Sequence, residues 1–336
     1  MLAAVITQPG GPEVLEIHDV PRPLPREGEV LVKVEASALN RADLLQRRGR
    51  YPAPAGAPSN IPGLEIAGTV FELGDGVTSW RVGDRVFGIV GGGGNAEFAV
   101  TREHELARVP DGMSWEEAGA VPEAFITAHD ALVTLGRMRS GEYVLVHAAG
   151  SGVGVAVVQL TRALGGVCIG TARTAAKLDR LSGLGLEHGI ALSDDPLAML
   201  EPIAGATAGH GVDVVVDLVG GSYLAADVDA CAPLARIVLV GLLAGRAATL
   251  DLGAILNRRI TIRGTVLRSR PAREKADATA AFARDVIPLL AAGKARPIID
   301  RVLPLRSIAE AHRLLESNTT FGKVVLTHTE GTGPAA

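Results

Sequence analysis

The stretch VLVHAAGSGVGVAVVQLTRALG, Val144 to Gly165, decides the fold. It opens as an apolar, β-branched run and closes as a helical one. Between them Gly150, Ser151, Gly152 and Gly154 leave the turn almost bare of side chains. A strand, a glycine-rich turn and a helix at the head of an alternating α/β region form a dinucleotide-binding unit. Backbone must approach a pyrophosphate there, and the free N–H groups and positive dipole end of the helix attract its charge. The other reading of these glycines is a tight structural turn. The spacing departs from G-x-G-x-x-G: counted back from Gly154, Ser151 stands at the central position and Ala149 at the first.

Downstream, EYVLVHA, GVCIGTA, GIAL, VDVVVDLV and RIVLVGLL are short, nearly all-apolar runs separated by helical stretches such as TAAKLDRLSGLG. Strands apolar on both faces that alternate with helices predict a parallel sheet covered on both sides. Upstream, EVLVKVEAS (Glu29–Ser37) alternates with period two, and LEIAGTVFELG and GDRVFGIV look similar. That is the pattern of an antiparallel barrel or sandwich. EAFITAHDALVTLGRM predicts one helix at the change of rhythm. After Val266 the chain is mixed, with an amphipathic helix over Thr279–Ala292, a strand IIDRVLPL, a helix SIAEAHRLLES, a strand GKVVLTH and a tail, TEGTGPAA, expected to fray. The fold class is α/β, in three segments: 1–122, rich in short strands; 123–265, the dinucleotide-binding part; and 266–336, which returns to the character of the first.

Composition bounds the function. The chain has 336 residues, 47% hydrophobic and 21% charged, with a formal net charge of -4, so it carries no basic footprint for nucleic acid or anionic membrane. Two cysteines, Cys168 and Cys231, are too few for a disulfide framework or a four-thiolate zinc lobe, and both sit in apolar runs as buried thiols do. The start MLAAVITQPGG lacks the charged head and long apolar core of a signal peptide, and no uninterrupted apolar run reaches membrane-spanning length, which points to the cytoplasm.

At the end of the second α/β strand an NAD site carries Asp or Glu for the ribose 2′-hydroxyl. This chain has Arg173 and Thr174 there, and Lys177 one turn into the next helix. Two cations and a hydroxyl suit a 2′-phosphate; a solvated helix start is the plainer reading. Asp179, the nearest acid, falls inside the helix.

With GGPEVL (Gly10–Leu15), ASALNRADLLQRRGRYP (Ala36–Pro52), PGLEIAG (Pro62–Gly68), VPEAFITAHDAL (Val121–Leu132), HAAGSGVG, VLRSRP (Val266–Pro271) and HRLLESNTTFGKVVL (His312–Leu326), nearly the whole chain resembles the zinc-free quinone oxidoreductases. These are the zeta-crystallin-like branch of the medium-chain dehydrogenase/reductase superfamily, and Ser151 points to the stress-inducible subgroup. The resemblance implies a GroES-like, partly open β-barrel domain completed by the C-terminal segment, with a Rossmann domain inserted and an active cleft between them. It implies NADPH as cofactor and a homodimer through the edge strands of the Rossmann sheets. Zinc alcohol dehydrogenases, which this chain also resembles, carry Cys near Asn40 and Gly-His-Glu where Gly63, Leu64 and Glu65 stand. An amide and an isobutyl group cannot replace thiolate and imidazole, so no metal is expected. A carbonyl that no Lewis acid polarises must accept reducing equivalents unaided. Quinones and conjugated enones do; simple ketones do not.

The resemblance also assigns a site. Asn40 and Asp43 line the cleft beside the nicotinamide, although Asn40 also reads as a helix N-cap. Tyr51, in a Pro-rich loop, donates to a quinone oxygen or is ordinary packing. Thr127 and Glu123 contact the nicotinamide ribose or cap their helix. Gly150, Ser151, Gly152, Val153 and Gly154 form the phosphate turn, where the Ser151 hydroxyl either serves the site or bonds its own backbone. Gly241, Leu242, Leu243, Leu267 and Ser269 close over the nicotinamide, while Asn318, Phe321 and Lys323 resemble C-terminal cofactor contacts. Leu192 stands where the family stacks a tyrosine at the adenine side. Arg268 and Arg270 read at least as well as surface charge, the quartet Gly91–Gly94 as a flexible loop over the cleft, and His147, His104 and His129 as structural or uninformative. The functional expectation is an NADPH-dependent quinone reductase. Its rivals are an NADPH-dependent alkenal or enone reductase on the same fold, and an NADPH-binding structural or RNA-binding crystallin-like protein, against whose nucleic-acid role the acidic balance argues.

Overall fold

The computed structural model describes residues 1–192 and 195–328. The tail Thr329–Ala336 lies outside the described residues. The chain divides into two compact units. One comprises Met1–Ile126, Leu267–Ala291 and the chain from Arg296 onward; the other comprises Thr127–Val266 with Ala292–Ala295.

The first unit is built on a seven-stranded sheet in which the ten-residue strand Glu29–Ala38 is the hub. It pairs antiparallel with Glu65–Leu73, Phe98–Arg102 and Lys323–Thr327. The period-two pattern of EVLVKVEAS sends Val30, Val32 and Val34 into a core with Ile66, Val70, Val86 and Val90. The late strand Lys323–Thr327 brings the C-terminal segment into the sheet beside the N-terminal one, and Ile299–Pro304 extends it in parallel. A two-stranded ribbon, Leu2–Ile6 with Leu15–Asp19, forms a separate sheet tied to the first unit's chain by an isolated bridge between Ala3 and Ala96.

The second unit holds a six-stranded parallel sheet in the order Leu186–Ala191, Val167–Ala172, Tyr143–Val146, Val212–Asp217, Cys231–Leu239, Thr261–Gly264. Numbered within the unit this is 3-2-1-4-5-6, the doubly wound order that places a ligand crevice at the carboxyl ends of its first and fourth strands. Successive residues of a strand face opposite ways, and Val144, Leu145 and Val146 are all fully buried, so both faces of the sheet are covered. The last strand, Thr261–Gly264, is an edge with largely exposed side chains.

Two predicted helices differ from the structure. EAFITAHDALVTLGRM begins as an α-helix over Pro122–His129 and widens into a π-helical turn over Asp130–Leu135, closed by the Gly136 N–H on the Ala131 carbonyl at 2.8 Å. A Cβ at Gly136 would lie 2.7 Å from that same oxygen, so the close needs glycine. The helix expected over Thr279–Ala292 instead runs Ala272–Asp285, and a second begins at Ile287. Pro288 cannot donate to a carbonyl one turn back, which breaks the run. No helix among the described residues is long and apolar enough to cross a membrane.

Candidate active site

In the parallel-sheet unit the strand Tyr143–Val146 leads through His147 and Ala148, the latter left-handed at φ 48°, into a helix over Gly152–Ala163. Ser151 caps that helix: its Oγ accepts the Gly154 N–H at 3.1 Å, so the hydroxyl does bond its own turn. Gly152 and Val153 keep first-turn N–H groups with no helical acceptor, the arrangement that receives an anion. Gly154 serves packing. A Cβ there would lie 2.5 Å from the Ala148 carbonyl oxygen and 2.7 Å from Ala149 Cα, so only glycine lets the helix sit against the turn. Gly150 is buried beside it.

Arg173 and Thr174 are exposed at the carboxyl end of the neighbouring strand Val167–Ala172. Lys177 is half-buried in the first turn of the helix Ala175–Ser182, so the three stand together. Leu192, by contrast, is 3% exposed and packs into the unit's core with Ile190, Met199 and Ile203. Gly241 lies where a Cβ would meet the Leu218 carbonyl oxygen at 2.4 Å, and it delivers Leu242 and Leu243, both more than half-uncovered or close to it at 50% and 55%, to the surface. Thr127 is buried.

In the barrel unit the expected acceptor residues form a closed network. The Asp43 carboxylate accepts the Asn40 N–H at 2.8 Å and the Gly63 N–H at 3.0 Å, so both its oxygens hold backbone. Burial pushes its pKa up to about 6. Asn40 occupies the N-cap position of the helix Arg41–Arg47, in a capping-box arrangement with Asp43. Its Nδ2 donates to Glu65 Oε1 at 2.9 Å and to the Ala38 carbonyl at 3.3 Å, while Oδ1 accepts from Lys323 Nζ at 2.6 Å. Lys323 is 4% exposed and also donates to Glu65 Oε1 at 2.7 Å and the Leu39 carbonyl at 3.0 Å. The remaining Glu65 oxygen accepts the Glu123 N–H at 2.8 Å. Burial first and Glu65 second push the Glu123 carboxyl up to about 8.

Three further readings change. Arg268 is not surface charge: it is 4% exposed, donates to Gly91 O and Gln46 Oε1 at 2.7 Å each, and lies 5.0 Å from the centroid of the Tyr51 ring. Tyr51 is half-buried there, and burial raises its phenol pKa. The quartet Gly91–Gly94 is no loose flap. Gly92, Gly93 and Gly94 are buried, and Gly93 and Gly94 donate to the Ile61 and Gly63 carbonyls at 2.9 and 3.1 Å. Lys323 has all three ammonium donors committed, which leaves none for a cofactor. Leu267 and Phe321 are buried, Ser269 is exposed, and Asn318 takes a left-handed turn at φ 60°.

Zinc does not fit the positions of Asn40, Leu64 and Glu65. Leu64 is apolar and buried, and the Glu65 charge is already neutralised by Lys323. In the other unit His147, Asp217 and Asp227 bring their polar atoms within 4.8 Å of one another. His147 and Asp227 meet at 2.7 Å, the separation of a hydrogen bond; two ligands of a tetrahedral zinc stand about 3.3 Å apart. Cys168 and Cys231 are buried, which pushes the Cys168 thiol up to about 12 and the Cys231 thiol higher still, as inert thiols.

Local sequence pattern did not reveal the Lys323–Glu65–Asn40 network, the Arg268 clamp or the His147–Asp227 pair. The available signals were a lone lysine opening the apolar run KVVL and an aspartate inside the apolar helix Ser222–Ala230.

Two family models match the chain: an alcohol dehydrogenase GroES-like domain over residues 26–111 and a zinc-binding dehydrogenase domain over residues 184–326. Quinone oxidoreductase of Lama guanicoe is 30% identical over 97% of this chain and 97% of its own length. Polyketide synthase GfsB of Streptomyces halstedii is 37% identical over 90% of this chain, which spans only 5% of that synthase. The solved structure of mycobacterial Rv1454c complexed with NADPH superimposes with a TM-score of 0.86 at 29% identity, covering 98% of this chain and 100% of that one.

Proposed function

The chain belongs to the zinc-free, quinone-oxidoreductase-like members of the medium-chain dehydrogenase/reductase family and is an oxidoreductase; from that premise we propose that it passes reducing equivalents from NADPH to an electron-poor quinone. The observation that carries the acceptor class is the closed Asn40–Glu65–Lys323 network. Where a zinc relative offers a Lewis acid, this chain offers hydrogen-bond donors that are already taken. The acceptor must therefore be electrophilic by itself, as a quinone is.

The cofactor reading rests on the residues that fit it. The N–H groups of Gly152 and Val153 receive the pyrophosphate, beside Gly150, Ser151 and Gly154. Arg173, Thr174 and Lys177 receive the 2′-phosphate. Bound there, NADPH supplies the reducing equivalents. Gly241, Leu242 and Leu243, in the same unit, cover the nicotinamide and exclude water. Tyr51, its ring fixed by Arg268, donates a hydrogen bond to the acceptor oxygen. Asn40 and Asp43 act through the backbone and side-chain network that shapes the acceptor pocket. A reduced quinone leaves as a stabilised anion, so little acid catalysis is needed, and alignment supplies much of the rate. The exposed edge strand Thr261–Gly264 supports a homodimer formed by edge-to-edge pairing; a monomeric sedimentation coefficient at micromolar concentration would rule that out.

The test is NADPH oxidation measured against quinones, conjugated enones and aldehydes. Turnover with quinones well above the others supports the reading. Turnover with enones alone transfers the chain to the double-bond reductases, and none with any acceptor removes the acceptor claim.

A further inference from the structure

His147 is the residue between the first strand of the parallel sheet and the phosphate turn. Its ring is fully buried, and both nitrogens are engaged. Nδ1 meets Thr171 Oγ1 at 2.8 Å and Nε2 meets Asp227 Oδ1 at 2.7 Å, with the Tyr223 ring set edge-on at 4.9 Å. The charged groups facing the ring are Asp227 from the helix Ser222–Ala230 and Asp217 from the end of the strand Val212–Asp217. The strand Val167–Ala172 presents Thr171, which is uncharged.

Both aspartates are fully buried, and each keeps one oxygen without a hydrogen-bond partner: Asp217 Oδ2 and Asp227 Oδ2. Asp217 is stabilised through its other oxygen by the N–H groups of Val219 and Gly220, at 2.7 and 2.8 Å. Among the described residues, the His147 ring is the one hydrogen-bond partner of Asp227. A buried carboxylate with one neutral donor is costly, and a charged partner removes most of that cost. A doubly protonated ring, with both N–H groups donating, is the state that offsets that cost.

The ring sits under the turn. The Thr171 hydroxyl holds the ring while the Thr171 carbonyl accepts the Ala149 N–H at 2.9 Å. Between His147 and Ala149 lies Ala148, left-handed without being glycine, a conformation that persists only where neighbours over-determine it. We propose that His147 is a positioning residue of the phosphate turn: as a buried imidazolium held by Asp227 it pins Ala148 and Ala149, and with them Gly150–Gly154, so that dinucleotide affinity depends on the ring proton. The inference rests on the cofactor reading above.

Burial alone would pull the ring pKa down. The charge and hydrogen bond of Asp227, with Asp217 behind it, outweigh that and hold it above the usual histidine value. Burial pushes Asp227 up to about 6, against the charge and hydrogen bond of His147, which draw it down. A ring with a raised pKa contributes its support below that pKa and loses it as pH rises through it.

The experiment is NADPH titration of the full chain between pH 7 and 10, above the titration of the cofactor phosphates, for wild type and Asp227→Asn. In the variant a neutral ring satisfies every partner, donating Nε2–H to the Asn oxygen and accepting from the Thr171 hydroxyl at Nδ1. Wild-type affinity should weaken about tenfold across the range, while the variant's stays flat. Equal slopes in the two proteins, or a flat wild-type profile, would overturn the inference. Wild type that binds no dinucleotide at any pH defeats the cofactor reading instead. Histidine 15N shifts of wild type give a second readout that needs no variant: a buried ring already neutral at pH 7 also overturns the proposal.

Discussion

Lys323→Met tests the barrel unit's network most severely. The ammonium is 4% exposed, Glu65 is fully buried, and they meet at 2.7 Å. At an effective dielectric near 20, two unit charges at that distance attract by about 6 kcal/mol. Desolvation of both groups offsets part of this in the intact pair, but the variant keeps the desolvated carboxylate and loses its partner. Removing one member of a buried pair costs about 3–5 kcal/mol. For a unit of this size each kcal/mol moves the melting temperature by about 2–4 °C, so a fall of about 6–20 °C is expected.

The second half of the experiment separates charge from packing. Glu65→Gln added to Lys323→Met removes the orphaned charge. The Gln oxygen can still accept the Glu123 N–H, and a flip of the Asn40 amide lets its oxygen accept from the Gln NH2. The double variant should recover about 2–4 kcal/mol of the loss, a coupling that neither single variant predicts. Differential scanning calorimetry of the four proteins measures it. A Lys323→Met protein melting within about 2 °C of wild type, against the range above, would show that the network is not what holds this region. A double variant no better than the single one would show that the loss is packing and not charge.

The double change Arg173→Ala and Lys177→Ala should erase most of a preference for NADPH over NADH of about tenfold to several hundredfold, worked from two charge-assisted contacts discounted for solvent exposure. Raised salt should shrink it in wild type, and titration showing NADH bound as tightly as NADPH by wild type would misplace the 2′-phosphate. Tyr51→Phe should lower quinone turnover by a few-fold to about tenfold, the worth of one neutral hydrogen bond, with NADPH affinity nearly unchanged; full activity on several quinones returns Tyr51 to packing. Glu123, held at about 8 in the folded chain against 4.5, binds a proton that the unfolded chain releases first. Stability should therefore fall as pH rises from about 5 to about 8, by up to about 2–3 kcal/mol for this half-buried side chain. Glu123→Gln should flatten the decline seen in urea denaturation, and an undiminished slope in the variant assigns it elsewhere.

What the sequence disclosed follows from range. The alternation in Glu29–Ser37, the apolar strands from Tyr143 on and the bare turn at Gly150–Gly154 are properties of neighbours within a few residues, and propensity and periodicity act on that scale. The networks join residues that are far apart in the chain. His147 meets Asp227 across 80 positions, Arg268 meets Gln46 across 222, and Lys323 meets Asn40 across 283. No window holds both partners, so each residue alone looked like a core histidine, a surface arginine or a cofactor contact. The π turn at Asp130–Leu135 was hidden for another reason: its apolar spacing is close to that of the α-helix it continues, and the difference lies in backbone bonds such as that of the Gly136 N–H to the Ala131 carbonyl.

The network at Asn40, Glu65 and Lys323 also bears on why a cation at that place does not do a metal's work. A zinc ion keeps an open coordination position and draws electron density from a carbonyl placed there. An ammonium could in principle do something weaker by hydrogen bonding. Lys323 cannot, because its three N–H groups point at the Leu39 carbonyl, Asn40 and Glu65, and the donors of Asn40 point at Glu65 and the Ala38 carbonyl. Opening one of these bonds for a substrate would leave a buried acceptor unpaired, at a cost of about 1–3 kcal/mol or more beside a charge. That cost offsets what one hydrogen bond to a substrate carbonyl would return. The site can stabilise its own carboxylate or a substrate oxygen, and the distances show it committed to the first. Among the described polar side chains of this region, the Tyr51 hydroxyl is the group to which the proposed chemistry assigns a substrate contact, and a single phenol suffices only for an acceptor that takes electrons readily.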